Sequence, residues 1–450
     1  MIQTLRSALA SLFQLLPVQV SDNDGAELSP PVQQAVPVNF VVVVLNGLFF
    51  PTAQRILGPG LLLTWFVTQL TPAALWVGLI VPVQQGLALL AQPFVAEWLT
   101  GKPRRSRYYT AQGLLRAALW AALGLGVWLI GRNQPSLLLV LFFLTVGIDA
   151  AAGGLGNIAF NDVIARTIPP RVRGQARGYR GILGGLATAA AGYLIRTSFS
   201  ERSSIAAFGL VFGVAGLCYA AGGLLFALID EPADPQAERA HPGFGQLLQH
   251  VRQLLDDRMF RWFIIVQALL VPLIFGLPFF TLFARRSFGL DIKAIGLLII
   301  VDAATPILAN AVWGRLADRW GNRGVISAAA GVGLLAPLCG GVLLLMRQGG
   351  WFVFPLLALI VGAIGAALVG VDLATKNYLL DLAPDATQRP LYIGVNDTVV
   401  GLPALLLVGV GPIIDRVGFA PVFAAIGIMA AGAALLATRL RKQANDEQGQ

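Results

Sequence analysis

The sequence is short of charge. Asp, Glu, Lys and Arg make up 12% of its 450 residues, which is roughly half their share in a soluble globular chain. Hydrophobic residues make up 56%, and the mean hydropathy is +0.73. A soluble chain of this length would have to bury its apolar side chains in several cores, whereas a bilayer solvates them directly. The composition therefore excludes an ordinary soluble protein and predicts an all-α integral membrane protein.

Cysteine and histidine are also scarce. Cys218 and Cys339 are the two cysteines, and they lie in apolar segments far apart, so we expect neither a disulfide framework nor a metal site. His241 and His250 lie in a polar stretch without other metal-type ligands nearby. The sequence has no phosphate-binding loop, no G-x-S-x-G motif and no paired His–Glu motif. We predict no enzyme activity, no cofactor and no ATP-driven transport within this chain.

The chain carries an excess of positive charge, with a net charge of +9 and a pI of about 10.1. Such a balance can indicate a nucleic-acid partner, but here the Lys and Arg residues lie between apolar runs and form no contiguous stripe. We therefore expect no nucleic acid among the partners. The expected partners are the lipid bilayer and a small-molecule substrate, and the expected oligomeric state is a monomer.

Long apolar runs divide the chain into twelve predicted membrane spans, six on each side of a polar connection. The first run exceeds one crossing and contains Pro51 and a Gly58-Pro59-Gly60 break, so we expect an interrupted first helix. The predicted spans lie near residues 40–70, 73–96, 108–131, 136–165, 177–196, 205–229, 260–284, 293–316, 324–346, 352–381, 391–414 and 419–438.

Five regions follow from this division. The connection after the sixth span has apolar residues at three-four spacing, which predicts an amphipathic helix on the membrane surface. The predicted regions are an N-terminal tail at 1–37, a six-helix bundle at 38–229, the connection at 230–258, a second six-helix bundle at 259–440 and a C-terminal tail at 441–450.

Basic residues orient the predicted spans. Most of the 32 Lys and Arg residues lie in the loops on the side of the two termini. Because cytoplasmic loops carry the excess of Lys and Arg, we expect both tails and the central connection to face the cytoplasm. The expected location is the cytoplasmic membrane, with a multi-pass topology.

The two halves resemble each other. At one constant offset Asn161 coincides with Asn377, and Gly178 with Gly394, in spans of the same order and direction. This agreement predicts a duplicated unit, giving two pseudo-symmetric six-helix bundles around a central cavity. Access to such a cavity alternates as one half rocks against the other.

The most specific motif is GRLADRWGNR at residues 314–323, predicted as a tight turn between spans eight and nine in which Gly314 and Gly321 permit close backbone approach. Here the sequence resembles the major facilitator superfamily, whose loop reads G-x-L-x-D-R-x-G-R-R. Asn322 stands where the family usually has a base. The resemblance implies that this loop is a cytoplasmic gating element. The matching residues are Gly314, Leu316, Asp318, Arg319, Gly321 and Arg323.

Two departures from the family pattern affect the expected mechanism. The loop between spans two and three, where the family has its stronger copy, reads QPFVAEWLTGKPRRSR, with Glu97 as its acidic residue. The family's antiporter motif in span five has a Gly-Pro pair, but GYRGILGGLATAAAG has glycines without the proline. An exchange mechanism therefore gains no support, and those glycines indicate close helix packing.

Charged residues within the spans are candidates for a functional or structural role, because burying a charge in a membrane is costly. Arg55, Asp149, Asp302 and Asp372 lie within predicted spans one, four, eight and ten. The resemblance implies that spans one, four, seven and ten line the cavity. We expect Arg55, placed in mid-span, to hold an anionic group, and Asp149 or Asp372 to carry a coupling proton. Alternatively, Arg55 pairs with Asp149 and has only a structural role. Polar side chains on the same spans complete the candidate set: Asn46, Gln54, Asn157, Asn161 and Asn377.

A second set of charges lies at the ends of spans that the repeat relates. Asp162 ends span four and Arg180 begins span five, while Lys376 ends span ten and Asp397 begins span eleven. We expect these acid–base pairs to act as gating latches whose pairing changes during transport. The alternative is that they are static ion pairs at helix ends.

These patterns favour a secondary active transporter that moves a small organic solute by alternating access, with protons as a candidate coupling ion. Span seven offers only Gln267 and Thr281 as polar groups, which favours a partly hydrophobic solute over a sugar. Two other hypotheses remain open. One is a non-transporting protein of the same fold that acts as an assembly factor or sensor, and the other is a membrane-embedded enzyme that acts on lipid.

Overall fold

A computed structural model describes residues 2–14, 18, 30–100, 102–131, 133–199, 205–233, 254, 256–346, 350–382 and 389–440. Within these ranges all regular secondary structure is helical. The helices of the first half are α1 (Ile2–Phe13), α2 (Pro30–Ile56), α3 (Leu62–Leu70), α4 (Ala74–Thr100), α5 (Ser106–Ile130), α6 (Pro135–Thr167), α7 (Pro170–Ser198) and α8 (Ala206–Phe226). Those of the second half are α9 (Arg258–Ile274), α10 (Leu277–Phe288), α11 (Ile292–Gly333), α12 (Leu335–Leu345), α13 (Val353–Leu382), α14 (Arg389–Leu405), α15 (Val410–Val417) and α16 (Ala420–Ala437), with a 3₁₀ turn at Leu406–Gly409.

Proline and glycine set the breaks in the long apolar runs. The predicted interruption of the first span is confirmed, since α2 ends at Ile56 and α3 begins at Leu62. The Thr64 hydroxyl donates to the carbonyl oxygen of Pro59 at 2.6 Å, which holds the bend. A second break follows Pro272, where α9 gives way to α10, because proline removes a helical hydrogen bond.

Nine helical segments of the described chain are long and apolar enough to cross a membrane. One of them, Ile292–Leu345, has 54 residues, or about 80 Å of helix, and therefore exceeds a single crossing of a roughly 30 Å hydrocarbon core. Gly321 divides it, with φ 67° and ψ 171°. The helix α7 has 29 residues but is not among the nine, and α4 contributes the shorter apolar segment Ala74–Ala88. The fold is thus an all-helical, multi-pass one, while the count of twelve stays a prediction.

Many large apolar side chains point outward. Leu129 on α5, Leu345 on α12 and Ile428 on α16 are exposed. In water such side chains would destabilise the chain, whereas a bilayer solvates them. Their distribution over both halves indicates that lipid is the surrounding medium.

The described chain forms two compact units. Unit 1 comprises 1–57, 87–190 and 203–241, and unit 2 comprises 58–86, 191–202 and 242–450. The segments 58–86 and 191–202 therefore pack with the second half of the chain, although they belong to spans one, two and five in sequence. The predicted domain boundaries, which cut the chain once near 230–258, remain a prediction.

Small residues bring α5 and α8 together within unit 1. A methyl group added to Gly124 would lie 2.6 Å from the carbonyl oxygen of Gly209, and one added to Gly216 would lie 2.9 Å from that of Ala117. Close backbone approach of this kind is how helices associate in membranes, where no hydrophobic force acts between them. The α5–α8 contact therefore depends on glycine.

The residues that follow α8 hold three other elements of unit 1. The Glu231 carboxylate is buried and accepts the backbone N–H groups of Arg105 and Ser106 at 2.8 and 2.7 Å, which caps the start of α5. Asp230 pairs with Arg6 on α1 at 2.8 Å. The Asn39 side chain on α2 bonds the Asp230 backbone at both its N–H and its carbonyl oxygen.

Within unit 2, the connection between α3 and α4 contacts later helices. The Asp415 carboxylate on α15 accepts the backbone N–H of Ala74 at 2.8 Å and the Arg286 Nη2 at 2.9 Å. Arg286 also donates to the carbonyl oxygen of Pro72. Glycine again permits close packing, since a methyl group added to Gly411 would lie 2.5 Å from the carbonyl oxygen of Ala74.

Candidate functional site

Unit 1 contains a cavity of about 300 Å³. Its walls come from α2, α5, α6 and α7, so four helices contribute side chains to one space. The cavity combines aromatic, amide and guanidinium groups, which are Phe50, Gln54, Tyr109, Gly153, Gly156, Asn157, Phe160, Asn161, Arg177 and Arg180.

One turn of α6 supplies two of the three amide groups of the cavity. The Asn161 Nδ2 donates to the carbonyl oxygen and the Oδ1 of Asn157, at 2.9 and 3.2 Å. Residues four apart lie on the same face of a helix, so both amides face the cavity. The Arg177 Nη2 on α7 donates to the Asn161 Oδ1 at 3.0 Å and fixes that amide from the opposite wall.

Glycine clears space on the same face of α6. A methyl group added to Gly156 would lie 2.7 Å from the Gln112 side chain of α5. Glycine at this position therefore allows α5 and α6 to approach each other behind the cavity.

Arg180 is half-buried and rests on groups without charge. Its Nε donates to the Asn46 Oδ1 at 3.2 Å, and its guanidinium carbon lies 4.2 Å from the centroid of the Phe160 ring. The Tyr109 hydroxyl donates to the same Asn46 oxygen at 3.1 Å, and the Asn46 Nδ2 donates to the carbonyl oxygen of Gly222. Asn46 is fully buried, and its side chain holds the Arg180 guanidinium at the inner end of the cavity.

The structure brings together several residues singled out from the sequence. Gln54, Asn157, Asn161 and Arg180 share the cavity, and Asn46 lies directly behind it. Sequence analysis missed Phe50, Tyr109, Phe160 and Arg177. The aromatic residues lie in apolar runs where they are indistinguishable from core residues. Arg177 sits three residues before Arg180 on α7, and that helical spacing is a usable signal.

Two expectations about Arg55 were wrong. It lies in the last turn of α2, one residue before the helix ends, and not in mid-span. Nor does it pair with Asp149, whose carboxylate receives the Nε and Nη2 of Arg116 at 2.8 and 2.9 Å. The Trp120 Nε1 also donates to this carboxylate, at 2.7 Å. Neither Arg55 nor Asp149 lines the unit 1 cavity.

The expected latch between Asp162 and Arg180 is also not formed. Asp162 pairs with Arg105 at 2.6 Å and with Arg166 at 2.8 Å. Arg105 comes from the start of α5, and it reaches Asp162 because the Glu231 cap fixes that helix end. Arg180 turns instead towards Asn46 and the cavity.

In the second half, Lys376 pairs with Asp372 one helical turn away, at 2.8 Å, and both side chains are exposed. Asn377 is exposed beside them. The side chains of Asp397 and Glu97 lie outside the described residues, so the second expected latch and the acidic residue of the loop after span two have no structural account. Asp302 is half-buried on α11.

The predicted tight turn at residues 314–323 is confirmed at its second glycine. Gly321 is buried and has a positive φ of 67°, a conformation that L side chains disfavour. The Arg323 Nη1 donates to the carbonyl oxygens of Thr438 and Leu440, at 3.4 and 3.2 Å, at the end of α16. The close approach expected at Gly314 was wrong, since no atom lies within 4 Å of a methyl group added there. Asp318 and Arg319 are exposed.

Comparison with known proteins places these features in context. The family model described as Major Facilitator Superfamily matches residues 43–371 and 277–449. A comparison with curated proteins gave no match.

Solved structures of similar fold include three transporters. The nucleoside transporter NupG is 14% identical, with a TM-score of 0.61, and the match covers 92% of this chain and 98% of that one. The inward-open xylose transporter XylE from E. coli is 15% identical, with a TM-score of 0.65 and coverage of 90% and 96%. A POT family transporter in complex with 5-aminolevulinic acid is 12% identical, with a TM-score of 0.67 and coverage of 91% and 97%.

Proposed function

The chain belongs to the Major Facilitator Superfamily and is a secondary transporter, and we propose that its solute binds in the unit 1 cavity. The observation that carries this proposal is the convergence of four helices on one space of about 300 Å³. Small-molecule sites begin at about this volume and combine apolar walls with a few well-placed polar groups. The walls here offer three aromatic rings, three amides and two guanidinium groups.

The proposed solute is a small organic molecule with an apolar part. Phe50, Tyr109 and Phe160 form the apolar wall, and their rings pack on one another, with centroids 4.9 Å apart for Phe50 and Tyr109. A sugar would need hydrogen-bonding groups on most of its surface, which these rings do not supply. The solved transporters of similar fold are 12–15% identical to this chain and support the fold alone.

We place the protein in the cytoplasmic membrane with both termini in the cytoplasm, as a monomer that works by alternating access. The distribution of Lys and Arg supports this orientation. The duplication of the six-helix unit predicted from the sequence is the arrangement that permits one half to rock against the other.

Protons remain the proposed coupling ion, with Asp372 as the better-supported carrier. Its carboxylate is exposed, and Lys376 is its one partner among the described residues. The Asp149 carboxylate is buried and receives three donors from Arg116 and Trp120. Protonation of Asp149 would leave the Arg116 cation without its partner in a low-dielectric core, which is costly.

Uptake into proteoliposomes, measured with a panel of small organic solutes in the presence and absence of a pH gradient, tests this function. Asn161→Ala removes a cavity amide, and we expect it to raise the apparent KM for the transported solute about tenfold, because a hydrogen-bonding group that lines the site is lost. Asn310→Ala is the matched control. The Asn310 amide also donates to a carbonyl oxygen four residues earlier in its own helix, at 2.7 Å, but it lies on α11 outside the cavity.

Equal KM values for Asn161→Ala and Asn310→Ala would show that the solute does not bind in this cavity. Asp372→Asn is expected to abolish the response of uptake to the pH gradient, while Asp149→Asn retains it at equal amounts of folded protein. A response that persists in Asp372→Asn would remove the carrier role from Asp372. Uptake of no solute in the panel by the wild-type protein would favour a non-transporting member of the family.

A further inference from the structure

The described residues that line the unit 1 cavity include cationic side chains and no carboxylate. Of its ten lining residues two are arginines, Arg177 and Arg180, and none is Asp or Glu. From this imbalance we infer that the solute is a small organic anion, whose acidic group binds the two guanidinium groups while its apolar part rests on the aromatic wall. This inference rests on the proposed function, since it names the class of solute that the cavity holds.

Neither arginine has a carboxylate partner among the described residues. The Arg177 Nη2 bonds the Asn161 Oδ1, and the Arg180 Nε bonds the Asn46 Oδ1, so both cations are held by neutral amide oxygens. The acidic residue nearest in sequence to the cavity is Asp162, and it is engaged by Arg105 and Arg166. A half-buried cation without a counter-charge is unfavourable, and an anionic solute would supply the missing charge.

The contacts that do exist leave most donors of the two guanidinium groups for a ligand. A guanidinium has five N–H groups in a rigid fork. The described contacts use one of them in Arg177, and in Arg180 they are the Nε bond to Asn46 and a side-chain contact with Tyr109. The remaining edges match the geometry of a carboxylate or a phosphate, which accept two parallel hydrogen bonds. The spacing of three residues on α7 places both forks on one face of the helix.

Phe160 orients the more buried fork. The Arg180 guanidinium lies over the Phe160 ring at 4.2 Å, a cation–π contact that fixes the plane of the fork without neutralising it. The same ring lies 5.7 Å from the Tyr109 ring. An anion bound at the edge of the Arg180 fork therefore meets the apolar wall directly, so one solute can use both surfaces.

Competing chemistries fit the cavity less well. A cationic solute would meet two like charges and no carboxylate, which is strongly unfavourable in a confined site. A neutral solute would displace the water around Arg180 without replacing its counter-charge. An organic anion compensates the charge and also covers the rings of Phe50, Tyr109 and Phe160.

Binding to the purified full-length protein in detergent tests the inference independently of transport. The probes are benzoate, its neutral isostere benzamide, and inorganic phosphate, and the readouts are the shift in thermal unfolding temperature and titration calorimetry. We expect benzoate to bind at least tenfold more tightly than benzamide, because truncating one side of a desolvated charge pair costs at least that factor. Competition by phosphate would extend the class to organic phosphates.

Four substitutions on α7, one of them a control, complete the test. Arg180→Gln is expected to weaken benzoate binding at least tenfold and Arg177→Gln by a smaller factor, because Arg177 is exposed. Arg180→Lys keeps the charge but loses the forked guanidinium geometry. Its affinity for benzoate should lie between those of Arg180→Gln and the wild type. Arg196→Gln is the matched control, since Arg196 is an exposed arginine in the last turn of the same helix and does not line the cavity.

Equal affinities of the wild-type protein for benzoate and benzamide would overturn the inference. So would a benzoate affinity of Arg180→Gln and Arg177→Gln equal to that of Arg196→Gln. If benzoate binding depends on Arg180 but no organic anion is taken up, the anion site exists and its role in transport is overturned. Uptake of a neutral or cationic solute that is unaffected by Arg180→Gln would keep the transporter and overturn the anion site.

Discussion

Arg116 donates its Nε to one carboxylate oxygen of Asp149 and its Nη2 to the other, at 2.8 and 2.9 Å. The same Nη2 lies 2.5 Å from the Tyr219 hydroxyl, and Trp120 donates to the carboxylate from one turn along α5. Both charged side chains are buried. The cluster thus joins α5, α6 and α8 through one fully desolvated ion pair.

Removal of either charge should destabilise unit 1. Arg116→Met leaves the Asp149 carboxylate buried without its cation, and Asp149→Leu leaves the cation alone, so each should lower the free energy of unfolding by about 3–5 kcal/mol. The double variant Arg116→Met/Asp149→Leu should be more stable than either single variant, because it buries no uncompensated charge. Thermal unfolding in detergent measures all three.

The exposed pair of Lys376 and Asp372 provides the control for that experiment. Lys376→Met should change the unfolding temperature little, since exposed ion pairs contribute about 0–1 kcal/mol. A double variant at positions 116 and 149 whose loss equals the sum of the two single losses would show that the two charges are not coupled.

The pairing of Asp162 predicts which substitutions are additive. Asp162 contacts Arg105 at 2.6 Å, while Arg180 points to Asn46. Asp162→Asn and Arg105→Gln should therefore be non-additive in unfolding free energy, with a coupling of about 0.5–3 kcal/mol. Asp162→Asn and Arg180→Gln should be additive within about 0.5 kcal/mol. Coupling of Asp162 to Arg180 instead would contradict the described geometry.

Two neighbouring glycines in unit 2 should respond differently to the same change. A methyl group at Gly411 would meet the backbone of Ala74 and Leu75 at 2.5 and 2.6 Å, whereas at Gly409 nothing lies within 4 Å. Gly411→Ala should lower the unfolding temperature, because backbone atoms cannot give way without moving α4 from α15. Gly409→Ala should leave it unchanged or raise it, since Gly409 has φ −69° and ψ −18°, which alanine adopts without strain, and alanine lowers the entropy of the unfolded chain. Equal effects of the two variants would show that the contact at Gly411 is loose.

Asp415 should act on α4 mainly as a helix cap. Its carboxylate accepts the N–H of Ala74, the first residue of α4, and also pairs with Arg286, with about a third of each charged side chain exposed. Asp415→Ala should cost about 1–2 kcal/mol, while Asp415→Asn should recover most of this loss, because Asn caps a helix about as well as Asp.

The ion-pair part of the Asp415 contact is separable by salt. The deficit of Arg286→Gln in unfolding free energy should shrink as the salt concentration rises to about 1 M, where the Debye length is about 3 Å. The deficit of Asp415→Ala should persist. Loss of both deficits at high salt would assign the whole effect to charge and contradict the capping role.

The breaks in the helices were predictable from the sequence, because their causes are local. The interruption after α2 follows from Gly58-Pro59-Gly60, and the bend at Gly321 follows from a glycine in a charged turn. The partners of the buried charges were not predictable in this way. Asp149 could have paired with a cation on any neighbouring span, and the choice depends on how the helices are rotated about their axes.

One sequence signal does identify Arg116. It lies fourteen residues before the end of α5, and Asp149 lies fourteen residues after the start of α6. Consecutive antiparallel helices joined by a short turn place such positions at the same depth, about 21 Å from the connection. Arg55, one residue from the end of α2, has no such relation to Asp149. The cavity side chains Tyr109 and Phe160 have no comparable signal, because an aromatic residue in an apolar run looks the same whether it faces a neighbour or a solute.

The cap that Glu231 places on α5 bears on the order in which the first half is assembled during synthesis. The N–H groups of Arg105 and Ser106 have to wait for a carboxylate more than a hundred residues downstream, and at about 5–20 residues per second this takes several seconds. Arg6 and Asn39 wait for Asp230 in the same way. The ribosome therefore supplies the polar partners of α1, α2 and α5 at the same time, with residues 230 and 231. A nascent chain that ends before residue 230 lacks these contacts, whereas one that includes Glu231 can cap α5 and join it to α1 and α2 through Asp230.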